Sequence, residues 1–235
     1  MKLKKIILSL FFPERCGICG EIKPFLKPYC PKCAIDTKIV SDTACKQCGH
    51  DNCICHKDIS ATLPHFSAVY YYQGQLKRSI HQYKFYGESS YADIFGKAMA
   101  DKIKVDYPDT KFDGVCFVPM TDLAIRKRGY NQSELLAKVV AETLKLPLIS
   151  CLEKAKETPS QKDLTAEQRR ENIKESFTII ADSDIIDKTL IVCDDIKTTG
   201  ATLKECSDTL MKAGAKDIYC LTLTLTPYFN ETDIF

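Results

Sequence analysis

The chain has 235 residues, 45% of them hydrophobic, and a formal net charge of +2. This length and composition allow one full α/β core with a small appendage, as in an ordinary soluble protein. The net charge is too small to indicate by itself a nucleic-acid, membrane or acidic partner, although residues 1–60 carry 10 basic and only 6 acidic side chains.

The N-terminal sequence MKLKKIILSLFF imitates a secretory signal peptide. However, Pro13, Glu14, Arg15 and Cys16 follow where the small residues of a cleavage site should stand. The apolar run is also far shorter than the roughly 20 residues that cross a bilayer. We therefore interpret this segment as a short amphipathic helix that packs on the domain or on a partner, in a cytoplasmic protein without a membrane span.

Cysteine pairs dominate residues 1–58, which we predict to form a Cys-rich domain. Eight of the 13 cysteines precede residue 56, and several have the CxxC spacing of metal ligands, which indicates a reducing compartment rather than a disulfide scaffold. The first four have the spacing of a zinc ribbon or treble clef, and are Cys16, Cys19, Cys30 and Cys33.

A second zinc site is predicted from Cys45, Cys48 and Cys53, with either Cys55 or His56 as the fourth ligand. A pairing interleaved between the two sites stays open. Four protein ligands leave no position for water, so we expect one or two structural Zn²⁺ ions whose binding supplies folding free energy.

Residues 59–235 alternate between strand and helix patterns and predict an α/β fold with a mainly parallel sheet. The first part, residues 59–90, is a joining or hood segment with a strand from Phe66 to Tyr72, a turn at Gly74 and a helical pattern that ends at Gly87. Later strands and helices are predicted over residues 115–120, 131–146, 189–195, 201–214 and 218–226. The cysteines of these elements are predicted to be plain core residues, and are Cys116, Cys151, Cys193, Cys206 and Cys220.

The most specific signal is IVCDDIKTTGATL at residues 191–203, where an apolar strand passes through two aspartates and a Thr/Gly turn into a helix. Backbone N–H groups of such a turn and of the helix start form an anion site. Adjacent carboxylates can accept hydrogen bonds from two neighbouring ribose hydroxyls. The alternative is an ordinary strand-to-helix turn in which the aspartates only cap.

The sequence therefore predicts a site for a ribose 5-phosphate group, with Asp194 and Asp195 also as catalytic residues. Mg²⁺ is expected to screen these carboxylates from an attached pyrophosphate, held mostly by waters and by oxygens of the ligand. The predicted ligand contacts are Asp194, Asp195, Lys197, Thr198, Thr199, Gly200, Ala201 and Thr202.

Residues 191–203 resemble the phosphoribosyl pyrophosphate signature of the type I phosphoribosyltransferases. That resemblance implies a five-stranded parallel core, a hood made from other segments, and a mobile loop that closes over 5-phosphoribosyl-1-pyrophosphate (PRPP). The chain departs from the pattern at Thr198, where purine salvage enzymes of this class carry an Asp general base, so purine salvage is not expected.

Two more segments match this fold by resemblance. VPM at 118–120 and RKRGYNQ at 126–132 correspond to the pyrophosphate loop, with Met120, Arg126 and Arg128 as contacts; a solvated charge cluster is the alternative. TPSQKDLTAEQRREN, with Arg169 and Arg170, corresponds to the closing loop, and an exposed charged helix is the alternative.

Over nearly its whole length, the chain resembles the ComF family, known also as competence protein FC. The motifs that carry this resemblance are the cysteine pairs, YYYQGQLKRSIHQYKFYG, VPM with RKRGYNQ, TPSQKDLTAEQRREN and VCDDIKTTGAT. The resemblance implies an accessory role in natural transformation, with single-stranded DNA and proteins of a DNA-uptake machine as partners, and it leaves enzymatic activity open.

Three functions follow as hypotheses. In the first, the protein binds a PRPP-like ligand and acts in DNA uptake; its basic residues track single-stranded DNA, and aromatic side chains at 70–72 and 83–86 either stack bases or lie in the core. In the second, it is an active phosphoribosyltransferase with an unidentified acceptor. A third, a ligand-sensing transcription regulator, has less support because the sequence shows no helix-turn-helix pattern.

Overall fold

The computed structural model describes residues 15–24, 27, 29–53, 55, 62–86, 89–155 and 175–228, with the backbone alone for residues 81–86 and 89–90. The N-terminal segment that was expected to form an amphipathic helix lies outside these residues. In chain order, the described elements are α1 (Pro31–Asp36), β1 (His65–Tyr71), α2 (Gly74–Tyr86), α3 (Ser89–Asp106), β2 (Gly114–Phe117), α4 (Asp122–Arg128), α5 (Gln132–Leu144), β3 (Leu152–Lys154), β4 (Phe177–Ile179), β5 (Thr189–Lys197), α6 (Ala201–Lys212) and β6 (Asp217–Leu225).

The predicted parallel sheet is confirmed, with four strands in the order β1-β6-β5-β2. The resemblance implied five strands. At the fifth position, outside β2, a short extended segment makes a single parallel bridge between Leu148 and Val115, with Ile149 N donating to the Val115 carbonyl at 2.8 Å. A separate antiparallel pair, β3 and β4, lies on either side of residues 156–174, which are not among those described.

Two strands end two or more residues away from the predicted end, and backbone hydrogen bonding explains both. Strand β2 ends at Phe117 instead of Met120, because Pro119 has no N–H with which to continue the ladder. Strand β5 continues past Asp195 to Lys197, because β6 keeps pairing with it as far as Leu225. The carboxyl end of β5 therefore projects beyond that of β2.

Helices cover both faces of the sheet, as parallel sheets require. Helices α3 and α5 pack on one face through Phe95, Met99, Leu136 and Val140. Helix α6 packs on the other face through Leu203, Cys206 and Leu210. Each such side chain contributes about 1.5 to 3 kcal/mol on full burial. The five later cysteines are at most 1% exposed, which confirms that they are core residues.

The helix ends follow the predicted signals. Asn131 caps α5, and Lys145 in the left-handed region ends it two residues before Pro147. Helix α6 ends at Lys212, two residues before Gly214. Helices α1, α3 and α4 and strands β3 and β4 were not predicted. Within the described part of the chain, no helix combines the length and apolar character that a bilayer crossing requires.

Candidate functional site

The carboxyl end of β5 and the start of α6 form the turn that the sequence singled out. Gly200 precedes the helix with φ 83°, a left-handed conformation that glycine adopts without strain, and it has no side chain with which to cap the helix. Thr198 is exposed and Thr199 is half-buried, with its Oγ1 accepting from Ala201 N at 3.4 Å. The turn thus presents hydroxyls and the positive end of a helix dipole at the surface.

The two aspartates at this strand end have different surroundings. Asp194 is half-buried, and its Oδ1 accepts from Ser133 Oγ at 2.7 Å and from Asp195 N at 2.9 Å. Asp195 is only 7% exposed. The structure therefore makes the predicted pair unequal, with Asp194 near the surface and Asp195 inside.

The start of α5 holds two strand ends together, a role that the sequence reasoning did not assign. Asn131 Nδ2 donates to the Val118 carbonyl at 3.1 Å, while its Oδ1 accepts from Ser133 N at 3.0 Å. Ser133 then donates to Asp194 on β5. The sequence feature that could have indicated this role is Asn131, an N-cap residue type just before an apolar helix.

The residues predicted to bind pyrophosphate lie on or beside α4, which follows the end of β2. Arg128 Nη1 donates to Gln132 Oε1 at 2.8 Å and lies 3.8 Å from Met120 Sδ, so two of the predicted residues are in contact. Arg126 is exposed, in the last turn of α4. Cations there interact favourably with the helix dipole, which explains part of the basic cluster without a ligand.

A cavity of about 300 Å³ opens beside this segment, between α4, the start of α5 and strand β3. Phe117, Met120 and Ile125 supply apolar surface, and Glu134 and Glu153 add acidic groups. Neither aspartate of the β5 end lines it. The cavity therefore lies on the side of the predicted pyrophosphate loop.

Lys197 departs from its predicted role as a ligand contact. Its side chain is buried, with the residue 2% exposed, and Nζ donates to the Cys48 carbonyl at 3.2 Å. The ammonium group also lies 5.1 Å from the Phe66 ring centroid. Extension of β5 beyond Asp195 carries Lys197 into the core, so its side chain is not presented to a ligand. The predicted closing-loop residues, Arg169 and Arg170, lie outside the described residues.

The eight N-terminal cysteines form two groups of four, as predicted. The first group is Cys16, Cys19, Cys30 and Cys33, and the second is Cys45, Cys48, Cys53 and Cys55. We call these cluster 1 and cluster 2. Cys55 thus joins the second set, whereas the alternative ligand His56 is outside the described residues. The ligands are sequential, not interleaved.

Both clusters have the dimensions of a structural zinc site. Within each, the sulfur atoms lie within 4.8 Å of one another. The Cys19–Cys30 and Cys45–Cys55 sulfur distances are 3.6 and 3.7 Å. A tetrahedral zinc with Zn–S bonds of about 2.3 Å places its sulfurs about 3.8 Å apart, whereas a disulfide needs about 2 Å.

Cluster 2 lies against the sheet near the end of β5. Tyr71 donates to Asp51 Oδ2 at 3.0 Å, and the His50 ring lies 6.3 Å from the Tyr71 ring. Burial, together with the nearby Lys197 ammonium, lowers the pKa of His50 to about 4, so this ring is neutral at pH 7.

The tyrosines of β1 are core residues rather than a stacking platform. Tyr70 and Tyr71 are 3% and 5% exposed, and Tyr70 bonds to the hydroxyl of Tyr29. Tyr72 is half-buried, with Lys77 Nζ 5.6 Å from its ring centroid. For the other aromatic residues, at 83–86, the structure describes the backbone alone.

Comparisons with known proteins match both parts of the chain. The family model of the double zinc ribbon domain matches residues 7–62, and that of the phosphoribosyl transferase domain matches residues 95–227. Competence protein F of Haemophilus influenzae is 26% identical over 211 residues, which cover 86% of this chain and 87% of that protein. DNA utilization protein YhgH of Salmonella typhi is 26% identical, with 89% and 90% covered. Competence protein ComFC of Streptococcus pneumoniae is 27% identical, with 83% and 79% covered.

Proposed function

The chain belongs to the phosphoribosyl transferase domain family, and from this premise we propose that it binds PRPP or a closely related ribose 5-phosphate ligand and acts in DNA uptake. Relatives named for competence and for DNA utilization confirm the resemblance to the ComF family over most of the chain. The observation that carries the ligand proposal is the aspartate and Thr/Gly turn at the start of α6.

The 5-phosphate would lie at the amino end of α6. A helix start offers unpaired N–H groups and a positive dipole end, and Gly200 lets an anion approach the backbone closely. The hydroxyls of Thr198, Thr199 and Thr202, none of which is a buried residue, would donate to its oxygens. This arrangement needs no further cation for the phosphate itself.

Asp194 is the better placed of the two aspartates for the ribose. Its carboxylate already accepts a hydrogen bond from the Ser133 hydroxyl. A ribose hydroxyl would donate to it in the same way. Asp195, at 7% exposure, supports the strand end and reaches the sugar only with a local shift. Mg²⁺, where it accompanies PRPP, would be held largely by water and ligand oxygens next to these carboxylates.

Calorimetric titration with PRPP and Mg²⁺ tests the ligand proposal directly. Asp194→Asn removes the charge but keeps the shape, and we expect affinity to fall about tenfold or more, because hydrogen bonds to a charged group contribute about 1.5 to 3 kcal/mol. Asp208→Asn is the matched control, since it breaks only a half-exposed pair with Lys204 on α6. Equal affinity in the wild type and Asp194→Asn would contradict the proposal.

Single-stranded DNA is the second proposed partner, with the exposed cations of α4 as a contact. Arg126→Gln with Lys127→Gln should reduce the slope of log affinity against log salt by about 1.4, because each phosphate contact contributes about 0.7. The control is Lys212→Gln with Lys216→Gln, which removes the same charge at the opposite end of the sheet. The affinities are measured by the fluorescence anisotropy of a labelled oligothymidine. The same slope of log affinity against log salt in both double variants would show that α4 does not contact the DNA.

An active phosphoribosyltransferase is the second candidate function, and the cavity beside Met120 is the observation in its favour. It offers space next to the predicted pyrophosphate loop. The test is pyrophosphate release from PRPP in the presence of nucleobases and amines as acceptors. Binding of PRPP without release of pyrophosphate under any of these conditions would leave ligand binding in DNA uptake as the only one of the two functions still supported.

We also propose a cytoplasmic location, because eight free thiols in metal-ligand spacing require a reducing compartment.

A further inference from the structure

Lys197 connects two parts of the molecule that the proposed function treats separately. It directly precedes the Thr/Gly turn, yet its Nζ donates to the carbonyl of Cys48, a cluster 2 cysteine, at 3.2 Å. Cys48 itself is fully buried. The end of β5 and the Cys45–Cys48 turn of cluster 2, which we call the knuckle, are therefore joined by a buried, charge-assisted hydrogen bond.

The surroundings of this bond leave little room for independent movement. Phe66 lies under the Lys197 ammonium and donates its N–H to the Lys46 carbonyl at 2.7 Å. Gly49, with φ 83°, is so close to Phe66 that a Cβ would come within 2.3 Å of the ring. The knuckle, the first strand and the end of β5 thus pack as one unit.

A buried ammonium is costly to leave with fewer acceptors. If the knuckle carbonyl moves, the Lys197 ammonium either follows it or loses this hydrogen bond inside the core. The first response displaces the backbone from which Thr198 and Gly200 continue, and the second weakens the attachment of that backbone to the knuckle. The position of the Cys48 carbonyl depends in turn on the Cys45–Cys48 turn, which a metal ion would fix through both thiolates.

We propose that Lys197 is a positioning residue through which metal occupancy of cluster 2 holds the ligand-binding turn in its conformation. Loss of the metal from cluster 2 loosens residues 198–202, and by reciprocity a ligand on that turn slows the release of the metal. The loosening of residues 198–202 on loss of metal is inferred from the geometry alone, whereas the effect of a ligand on metal release rests on the proposed function.

The first experiment needs no ligand. Hydrogen exchange of residues 198–202 is compared among the wild type, Cys53→Ser, which removes the exposed ligand of cluster 2, and Lys197→Met, which keeps the length and apolar packing of the side chain. We expect exchange in both variants to be about fivefold faster or more. Matched controls are Cys19→Ser in cluster 1 and Lys204→Met on the exposed face of α6.

Non-additivity separates a specific link from general loosening. The double variant Cys53→Ser with Lys197→Met should exchange no faster than the faster single variant, because both changes break the same connection. Additive effects, or faster exchange in Cys19→Ser equal to that in Cys53→Ser, overturn the proposal.

The second experiment measures zinc release to a coloured chelator with and without PRPP and Mg²⁺. In the wild type, we expect PRPP with Mg²⁺ to slow the release of zinc from cluster 2 about fivefold or more and to leave the release from cluster 1 unchanged. In Lys197→Met, we expect no slowing at either cluster. Ligand binding that leaves release unchanged overturns the reciprocal part. An absence of PRPP binding in the wild type defeats the proposed function instead, and leaves the exchange result to decide the role of Lys197.

Discussion

The two cysteine clusters have the same ligands and different places in the fold. In cluster 1, three of the four cysteines are at most 7% exposed and belong to the hydrophobic core that includes Tyr91 and Phe95 of α3. In cluster 2, Cys48 is fully buried but Cys53 is exposed. Cluster 1 is therefore part of the core, and cluster 2 joins the core to the surface near the Thr/Gly turn that follows β5.

From this difference we infer that two structural metals with the same four ligands have different effects on the fold. A metal in cluster 1 would hold together a segment that already packs on α3, where Gly17 lies so close to Ile94 that a Cβ would come within 2.9 Å. A metal in cluster 2 would act at the end of β5, through Lys197. We expect the first metal to contribute to stability, and the second to contribute to the conformation of the Thr/Gly turn.

The largest expected effect comes from Cys16→Ser compared with Cys53→Ser. Structural zinc supplies on the order of 10 kcal/mol in small zinc domains, so loss of a core ligand should lower the free energy of unfolding by about 5 kcal/mol or more. Cys16 is 1% exposed and packed in the core, whereas Cys53 is at the surface, so Cys53→Ser should leave most of the α/β fold intact. Urea unfolding with metal analysis checks this, and equal losses in the two variants would break the comparison.

Asp106→Asn tests whether ion pairs hold the Cys45–Cys48 turn of cluster 2 on the fold independently of metal. The Asp106 side chain is 2% exposed and accepts from Lys46 Nζ at 2.5 Å and Ser67 Oγ at 2.6 Å, with Lys102 Nζ at 3.2 Å. Loss of this charge weakens the bonds from Lys46 and Ser67, whereas Lys102 keeps Asp42 Oδ1 at 2.7 Å and two backbone carbonyls as acceptors. Stability should fall by about 3 kcal/mol, because a hydrogen bond to a charged group contributes about 1.5 to 3 kcal/mol.

The control for this substitution lies on the same helix. Asp93→Asn breaks a pair with Lys97 in which both side chains are more than half exposed, and it should change stability by less than about 1 kcal/mol. The zinc content should stay the same in both variants. A fall in zinc content in Asp106→Asn would mean that the ion pairs and the clusters form one unit rather than two.

Gly49→Ala tests the contact between cluster 2 and the sheet, and we expect a loss of about 3 kcal/mol. The new Cβ would meet Phe66 at 2.3 Å in a backbone conformation with φ 83°. Gly74→Ala separates the two causes, because Gly74 also has a positive φ, 57°, but has no atom within 4 Å of such a Cβ. Conformational strain alone should make that control about 1 kcal/mol less stable. Similar losses of stability in the two variants would show that the Phe66 ring moves to accommodate the new Cβ.

Much of the fold could be predicted from the sequence because its signals are local. The buried strand at 189–195, the N-cap Asn131 and the helix end before Gly214 each follow from residues within a few positions. The sulfur clusters were also predictable, since CxxC spacing fixes two ligands of each site by itself.

The parts that the sequence did not reveal depend on residues far apart in the chain. Ser133 contacts Asp194 across 61 positions, and Lys197 contacts Cys48 across 149. No periodicity or spacing encodes such pairs. The burial of Asp195 and Lys197 likewise follows from the extra pairing of β5 with β6, which depends on tertiary packing more than on propensity.

The smallest expected effect is the order in which the clusters lose metal. Because Cys53 is exposed, a chelator can attack cluster 2 without opening the core, whereas three of the four cluster 1 sulfurs belong to buried residues. We expect the two zinc ions to leave in two phases that differ about tenfold in rate, or about 1.4 kcal/mol in barrier. Cys53→Ser should abolish the fast phase and keep the slow one. If the fast phase survives in that variant, the exposed sulfur is not the entry point, and the contrast between a core cluster and a surface cluster has to be sought in packing rather than in access.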